Sequence, residues 1–90
     1  MIYIQHWKFK AGYHQKGAEK FLATGAPYAG AEMLGRYHAP GSLEGWIIVK
    51  AEDPKALYEH TAEWAEFLDW ETTPVFTDEE AGPICAKIYG

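Results

Sequence analysis

Residues 34–49 constrain the fold of this chain more than any other stretch. Both halves of the stretch are rich in aromatic and β-branched residues, and a short Pro40-Gly41 turn separates them. Two such runs joined by a turn of a few residues predict the antiparallel strands of one hairpin. Arg36 and His38 lie among the apolar residues of the first strand. The stretch therefore predicts the centre of a small sheet with a polar cluster beside it.

The remaining elements follow from periodicity and from end signals. Large apolar residues without a helical period predict strands, and Pro74 suits an edge strand because proline cannot donate to a sheet. A first helix is expected to end at Gly25, and a second to begin at Asp53-Pro54, an N-cap acid followed by proline. The strands are predicted at residues 1–9, 30–39, 44–51 and 70–77, and the first helix at residues 13–24.

The resulting order, β-α-β-β-α-β, predicts an α+β fold of the ferredoxin-like type. In this fold, four antiparallel strands carry two helices on one face. The 90 residues are expected to form a single domain. Residues 78–90 are expected to be a C-terminal extension that begins with a turn, and an extra strand over residues 84–89 is one option.

Both faces of the predicted sheet carry large apolar side chains, although two helices can cover only one face. A second cover is therefore needed, and another copy of the chain is the simplest one, because twofold self-association is the commonest oligomer. We expect a homodimer that forms through the face opposite the helices. That face carries Ile2, Ile4, Trp46 and Ile48.

Net charge and cysteine content limit which other partners the protein can bind and in which compartment it is expected. The net charge of −5, with scattered lysines and arginines, disfavours nucleic acid. Cys85 is the only cysteine, so a reducing compartment is expected. No segment approaches the roughly 20 apolar residues of a membrane span, and the first residues lack a signal-peptide pattern. We expect a cytoplasmic protein that does not bind membranes.

Several stretches of the sequence resemble one family of short bacterial and phage proteins, catalogued only as a domain of unknown function. The resemblance extends through about Gly82 and implies membership of the dimeric α/β-barrel superfamily. This superfamily includes antibiotic-biosynthesis monooxygenases and EthD-like proteins. The matching stretches are Trp7-Lys8-Phe9-Lys10-Ala11-Gly12, Gly35-Arg36-Tyr37-His38-Ala39-Pro40-Gly41, Ala56-Leu57-Tyr58-Glu59-His60, Glu63-Trp64-Ala65 and Thr73-Pro74-Val75.

The resemblance also implies where a site would lie. In the monooxygenase relatives, a pocket lies between each sheet and its own helices. Gln5 is similar in position to a pocket asparagine of some of those enzymes, and His60 to a histidine frequent on their second helix. Ala51 stands where they commonly have tryptophan, so their chemistry does not transfer directly.

The candidate binding site depends on the register of the hairpin. If Arg36 pairs with Ile47, then Leu34, Arg36 and His38 face the helices, as Gln5 and Trp7 do. The two polar residues of the hairpin, Gln5 and Trp7 then converge beneath Trp64, which belongs to an apolar stripe of the second helix that is expected to run from Leu57 to Leu68. In an aromatic cleft of this kind, Arg36 would hold a carboxylate or phenolate, and His38 would act as a general base. The alternative is structural: Arg36 pairs with a nearby acid, and His38 satisfies the turn.

Three functions remain open on this basis. The first is a cofactor-free enzyme, similar to a monooxygenase or an isomerase, with His38 as the catalytic base. Its substrate-binding residues would be Gln5, Trp7, Arg36, His60 and Trp64. The second is a module that senses a metabolite in the same cleft without turnover, and the third is a structural dimer with a filled core. No metal site is expected, because the histidines fall on separate elements and no His-x-x-x-His or Cys-x-x-Cys spacing occurs.

Overall fold

The computed structural model describes all 90 residues and confirms the predicted α+β, ferredoxin-like order. Four antiparallel strands form one sheet in the order β2-β3-β1-β4. The elements are β1 (Ile2–Phe9), α1 (His14–Thr24), β2 (Glu32–His38), β3 (Glu44–Lys50), α2 (Lys55–Trp64), β4 (Leu68–Val75) and α3 (Asp78–Tyr89). No helix is long and apolar enough to cross a membrane.

The hairpin that joins β2 to β3 forms as predicted. The Ala39 amide donates to the Glu44 carbonyl at 2.9 Å, and the Ser42 amide donates to the Ala39 carbonyl at 2.8 Å. Gly41 has a φ of 93°, in the left-handed region that glycine enters without a steric penalty. The turn therefore reverses the chain tightly and sets the pairing of the two strands.

The predicted register of the hairpin is confirmed, since Arg36 pairs with Ile47. Gln5 pairs with the same isoleucine from the other side, so the three residues form one row across the sheet. A β-bulge between Met33 and Gly35 changes the alternation at the start of β2. We had expected Leu34 to continue the helix-facing row. Because of the bulge it does not, and Met33 lies opposite Val49 instead.

The two predicted helices cover one face of the sheet. Gly25, with a φ of 73°, ends α1 by donating its amide to the Phe21 carbonyl at 2.7 Å. At the start of α2, Asp53 accepts the Lys55 amide at 2.9 Å, so the predicted acid does cap this helix. The buried apolar residues between helices and sheet are Trp7, Ala26, Ile47, Val49, Ala51, Leu57, Trp64 and Leu68.

The second half of the chain differs from the prediction at two points. Leu68, expected on the apolar stripe of α2, begins β4, because the chain turns after Trp64 and the Phe67 amide donates to the Trp64 carbonyl at 3.0 Å. β4 therefore starts two residues earlier than predicted. It is an outer strand that contains Pro74, as the edge position predicted.

The tail forms a helix, so the strand considered over residues 84–89 is wrong. Thr77 and Glu80 make a capping box, in which each side chain bonds to the other residue's amide. The three acidic residues of the first turn also suit the positive end of the helix. We had expected only a turn, or a single helical turn, at the start of the tail, but α3 continues through Pro83 to Tyr89.

The sheet face opposite α1 and α2 is called the open face below. On it, Trp46 pairs with His6 and Ile48 pairs with Ile4. Trp46 is 39% exposed, and its ring stacks on His6 with centroids 5.0 Å apart. The apolar residues of the open face are Ile2, Ile4, Tyr37, Trp46, Ile48 and Val75.

Candidate functional site

A cleft of about 240 Å³ opens between the sheet and the two covering helices. Its floor comes from the helix-facing side of the sheet, and its walls come from α1, α2 and the first residues of β4. Most of its surface is apolar, and five large aromatic side chains contribute to it. These are Trp7, Phe9, Phe21, Trp64 and Trp70.

The charge of the cleft is opposite in sign to that of the whole chain. The protein has 13 acidic residues and a net charge of −5. None of these acids lines the cleft, and Arg36 is its one permanently charged residue. Three histidines, His14, His38 and His60, add nitrogen donors and acceptors. The cleft is therefore suited to an uncharged or anionic molecule.

Arg36 is held by the end of α1. Its guanidinium donates to the carbonyls of Gly25, at 3.2 Å, and Ala26, at 2.6 Å. It also lies 5.4 Å from the centre of the Phe21 ring. A cation at this position is stabilised by the negative end of the helix dipole. We had considered a pair with a nearby acid, but backbone carbonyls are the partners, and they use two of the five guanidinium N–H groups.

Burial lowers the pKa of Arg36 below its usual value, and the Coulombic interaction with Tyr28 acts in the opposite direction. An arginine side chain remains charged under these conditions, because its unperturbed pKa is so high. The positive charge of the cleft is therefore permanent, and about three N–H groups remain free to bind a ligand.

His38 lies two residues beyond Arg36, at the end of β2, with its side chain on the same wall. Its ring packs against the edge of Trp7 with centroids 5.2 Å apart, and it stacks on Phe21 at 5.5 Å. The residue is exposed at the mouth of the cleft, and its side chain makes no hydrogen bond within the chain. His38 can therefore exchange a proton with solvent or with a bound molecule, but no second residue orients its ring.

His60 lies deeper in the cleft and is only 4% exposed. Its ring lies flat against Tyr28, with centroids 3.7 Å apart and planes inclined by 12°, and it meets the edge of Trp70 at 5.7 Å. Its Nδ1 atom is buried without a hydrogen-bond partner. A buried polar atom without a partner is unusual, because the loss of its hydration is not compensated.

Burial lowers the pKa of His60 from 6.5 to about 4, and the positive charge of Arg36 adds to the effect. The Glu63 carboxylate and the Pro27 carbonyl partly oppose this change in the pKa. His60 is therefore neutral at pH 7. In that state one ring nitrogen donates and the other accepts a hydrogen bond, so His60 contributes polarity to the cleft without adding a charge.

Gln5 lies beside the cleft rather than in its lining. The side chain is fully buried: its Nε2 donates to the Thr72 hydroxyl at 2.9 Å, and its Oε1 accepts from the Tyr28 hydroxyl at 2.5 Å. Burial raises the pKa of Tyr28 well above its usual value, so the phenol stays protonated and remains a donor. Gln5 thereby ties the residue stacked on His60 to the sheet.

Two indole N–H groups in the walls of the cleft also lack partners. The Nε1 atoms of Trp64 and Trp70 are buried, and neither makes a hydrogen bond. Trp64 is stabilised from the other side by Lys20, whose ammonium lies 4.7 Å from the ring centre. These two nitrogens, like Nδ1 of His60, are enclosed within the walls rather than exposed to the cleft.

The structure brings most of the predicted site residues together. Trp7, Arg36, His38, His60 and Trp64 all line the cleft, and Gln5 is adjacent to it. Their roles in binding or catalysis remain predictions.

Sequence reasoning missed Tyr28 and Trp70. Tyr28 lies between α1 and β2 and carried no periodic signal. Trp70 pairs with Trp7 across two strands, and an earlier start of β4 would have placed it on the helix-facing side. No group of three or more histidine, cysteine or acidic side chains could hold a metal ion.

Together these features define a small α+β protein of ferredoxin-like architecture with an aromatic cleft between its sheet and two of its helices. The chain belongs to the DUF3303 family, described as a domain of unknown function, whose model matches residues 1–89. The resemblance to an uncharacterised family is thus confirmed. A search of curated proteins found no match.

Proposed function

We propose that the cleft binds a small, flat, mainly apolar molecule with one negative charge, such as an aromatic carboxylate or a phenolate. The observation that carries this proposal is the separation of charge: Arg36 lines the cleft, and none of the 13 acidic residues does. Arginine binds carboxylate-type oxygens with paired N–H groups, so it suits an anion at this position.

The size and walls of the cleft support the same class of ligand. Pockets that hold drug-sized molecules have volumes of roughly 300–1,000 Å³. The 240 Å³ of this cleft therefore fits a smaller ligand with one or two rings. Trp7 and Phe21 offer ring faces and edges against which an aromatic ligand packs favourably.

We further propose that the protein works as a homodimer through the open face and belongs to the dimeric α/β-barrel superfamily. The apolar open face supports this, since Trp46 is 39% exposed at its centre and Ile4 and Ile48 lie next to it. The ends of the same face are charged with both signs, as the polar rim of an interface usually is. Lys8, Glu44 and Asp69 form one end, and Glu32 and Lys50 form the other.

Binding without turnover is the version of this function that the geometry supports best. In a catalytic version, similar to a cofactor-free monooxygenase or isomerase, His38 would accept a proton from the ligand and Arg36 would hold the resulting anion. Catalytic bases are usually oriented by a third group, and no residue hydrogen-bonds to His38. A metabolite sensor needs the cleft and Arg36 but no such group.

A matched ligand series tests the proposal. Benzoate, benzamide and benzylamine have nearly the same shape, but they carry a negative charge, no charge and a positive charge respectively. Quenching of the tryptophan fluorescence from Trp7 and Trp64 reports occupation of the cleft. We expect benzoate-type ligands to bind at least tenfold more tightly than their amides, and the amines not to bind. Equal affinity for benzoate and benzamide, or no binding of any carboxylate up to about 10 mM, would contradict the proposal.

A further inference from the structure

The C-terminal helix α3 has no tertiary partner within its own chain. None of its 12 residues is buried. Ile84 is 56% exposed and Ile88 is 65% exposed, values typical of surface residues rather than of a packed helix. The molecule is also long, with extents of 51 × 27 × 17 Å and a radius of gyration of 15.3 Å. A compact chain of this length would have a radius of gyration of about 12 Å.

The exposed apolar residues of α3 lie on one side of the helix. They recur at spacings of three and four, which places them in a stripe about 100° wide, as on a helix that packs against a protein surface. Charged residues and Gly82 occupy the flanks and the opposite side. The stripe consists of Ala81, Ile84, Cys85 and Ile88.

A helix with these properties is not stable on its own. Isolated helices shorter than roughly 12–15 residues are marginal in water, even when they are rich in alanine. In α3, Pro83 removes one backbone hydrogen bond as well, which destabilises a helix interior more than any other residue does. The capping box at Thr77 offsets only part of this cost. The remaining stabilisation has to come from a surface that packs against the stripe.

The accessible surface of the chain indicates how much area such a contact would bury. The chain exposes 6224 Å². A folded monomer of 10.1 kDa is expected to expose about 5,300 Å². The excess, about 900 Å², is close to the roughly 800 Å² that each partner contributes to a standard protein interface.

From these observations we infer that α3 is an arm that docks on a second copy of this chain. The arms are exchanged about a twofold axis, so that each α3 stripe packs on the other protomer. This inference rests on the proposed dimer and adds a contact that the open face alone does not include.

Continuity and charge favour a second copy over an unrelated partner. Along the chain, the exposed Phe76 (59%) lies between Val75 on the open face and the α3 stripe, with residues 77–80 as the only connection. Lys87 is the one cation of α3, and Asp69 and Glu71 lie on the β4 edge of the open face. In the dimer, Lys87 of one protomer would be attracted to these two carboxylates of the other. In a twofold dimer, the open face and the α3 stripe of each protomer would both be buried.

Sedimentation of the full-length chain tests the arm. Ile84→Glu places a charge in the stripe, and Ala86→Glu places the same charge on the opposite side of α3 as the matched control. Both positions are exposed, so neither change affects the core, and circular dichroism checks that the fold is kept. We expect the wild type to be dimeric at micromolar concentration. Ile84→Glu should raise the dissociation constant at least tenfold, and Ala86→Glu should change it less than twofold.

Alkylation of Cys85 gives a second measurement that needs no variant. The thiol is exposed in the single chain and lies in the stripe, so its reaction with iodoacetamide should slow as the protein concentration rises through the dimer transition. A stable dimer whose Cys85 reacts equally fast at all concentrations, and which Ile84→Glu leaves intact, would overturn the arm but not the open-face dimer. A wild-type chain that stays monomeric up to about 100 µM would overturn both.

Discussion

The Tyr28 ring lies flat on the imidazole of His60, a residue that lines the cleft, with centroids 3.7 Å apart. Tyr28 is held in turn by its hydrogen bond to Gln5, a residue of the central strand β1. A histidine on α2 is thereby connected to the sheet through a tyrosine on the loop before β2. Burial in this stack keeps His60 neutral.

The neutral state of His60 predicts how stability depends on pH. Its pKa is lowered to about 4 in the folded chain, against 6.5 for an unperturbed histidine. Between these values the unfolded chain binds a proton that the folded chain does not, so the free energy of unfolding falls as the pH drops from 6.5 to 4. The loss has an upper limit of about 3 kcal/mol. Urea unfolding measured across this range checks it.

A variant without the imidazole isolates the contribution of His60 to this dependence. His60→Phe keeps an aromatic ring against Tyr28 and cannot be protonated. The free energy of unfolding of His60→Phe, relative to that of the wild type, should therefore increase as the pH falls from 6.5 to 4. A difference that does not change with pH would show that His60 is not the group responsible.

Replacing Arg36 should affect ligand affinity and stability separately. Arg36→Gln removes the one permanent positive charge in the cleft and also the cation at the end of α1. We expect at least a tenfold loss of affinity for a carboxylate, together with about 1–2 kcal/mol of stability. Arg36→Lys keeps the charge but not the paired N–H groups, so it should recover most of the stability and only part of the affinity. Unchanged benzoate affinity in Arg36→Gln would contradict the assigned role.

Removing the hydrogen bond between Tyr28 and Gln5 should destabilise the fold by more than the net contribution of a single hydrogen bond. Tyr28→Phe preserves the stack on His60 but leaves the Gln5 carbonyl oxygen buried without its donor. An unsatisfied buried polar group costs about 1–3 kcal/mol, so we expect a destabilisation in that range by urea unfolding. Adding Gln5→Leu to Tyr28→Phe removes the unpaired group, and the double variant should lose less than the sum of the two single changes.

Gly45 should tolerate no side chain. A Cβ at this position would collide with the Trp7 ring and with the backbone carbonyl of Tyr37 in the next strand. Because the carbonyl cannot move without breaking the sheet, Gly45→Ala should cost about 3 kcal/mol or more. Gly82→Ala is the control, since a Cβ there meets nothing within 4 Å and lies in a helix, where alanine is favoured by up to about 1 kcal/mol. Similar unfolding midpoints for the two variants would contradict this packing.

His38 distinguishes an enzyme from a sensor. Its side chain makes no hydrogen bond that the fold needs, so His38→Ala should fold normally. In a sensor, the variant should bind benzoate-type ligands within about threefold of the wild type, because only packing against Trp7 and Phe21 is lost. In an enzyme, turnover of the ligand should fall by a factor of about 10² or more, as usual for a lost general base. Mass spectrometry of the ligand after incubation measures turnover directly.

Local signals in the sequence predicted the fold well. The Pro40-Gly41 turn, the end of α1 at Gly25 and the Asp53 cap each act within a few residues, so their effect can be derived without tertiary contacts. The alternation of side chains along β1 and β3 then determined which residues lie under the helices. That is why Trp7 and Arg36 were placed in the cleft correctly.

Local signals also decided the tail. Thr77 and Glu80 form a capping box that was present in the sequence, although only a turn or a single helical turn was predicted there. A proline six residues into a helix costs stability without always ending the helix, and the outcome depends on what else stabilises it.

Other features were decided only by the tertiary structure. The sequence showed Arg36 and an acidic background, but it did not show that the carbonyls of Gly25 and Ala26, eleven and ten residues away, would bind its guanidinium. Nor did it indicate that Tyr28 would cover His60, because that stack depends on a loop, a helix and a strand meeting at one point. Short-range hydrogen bonds and side-chain alternation are properties of neighbouring residues. The depth of a cleft, the burial of a histidine and the partners of a cation depend on how distant segments pack.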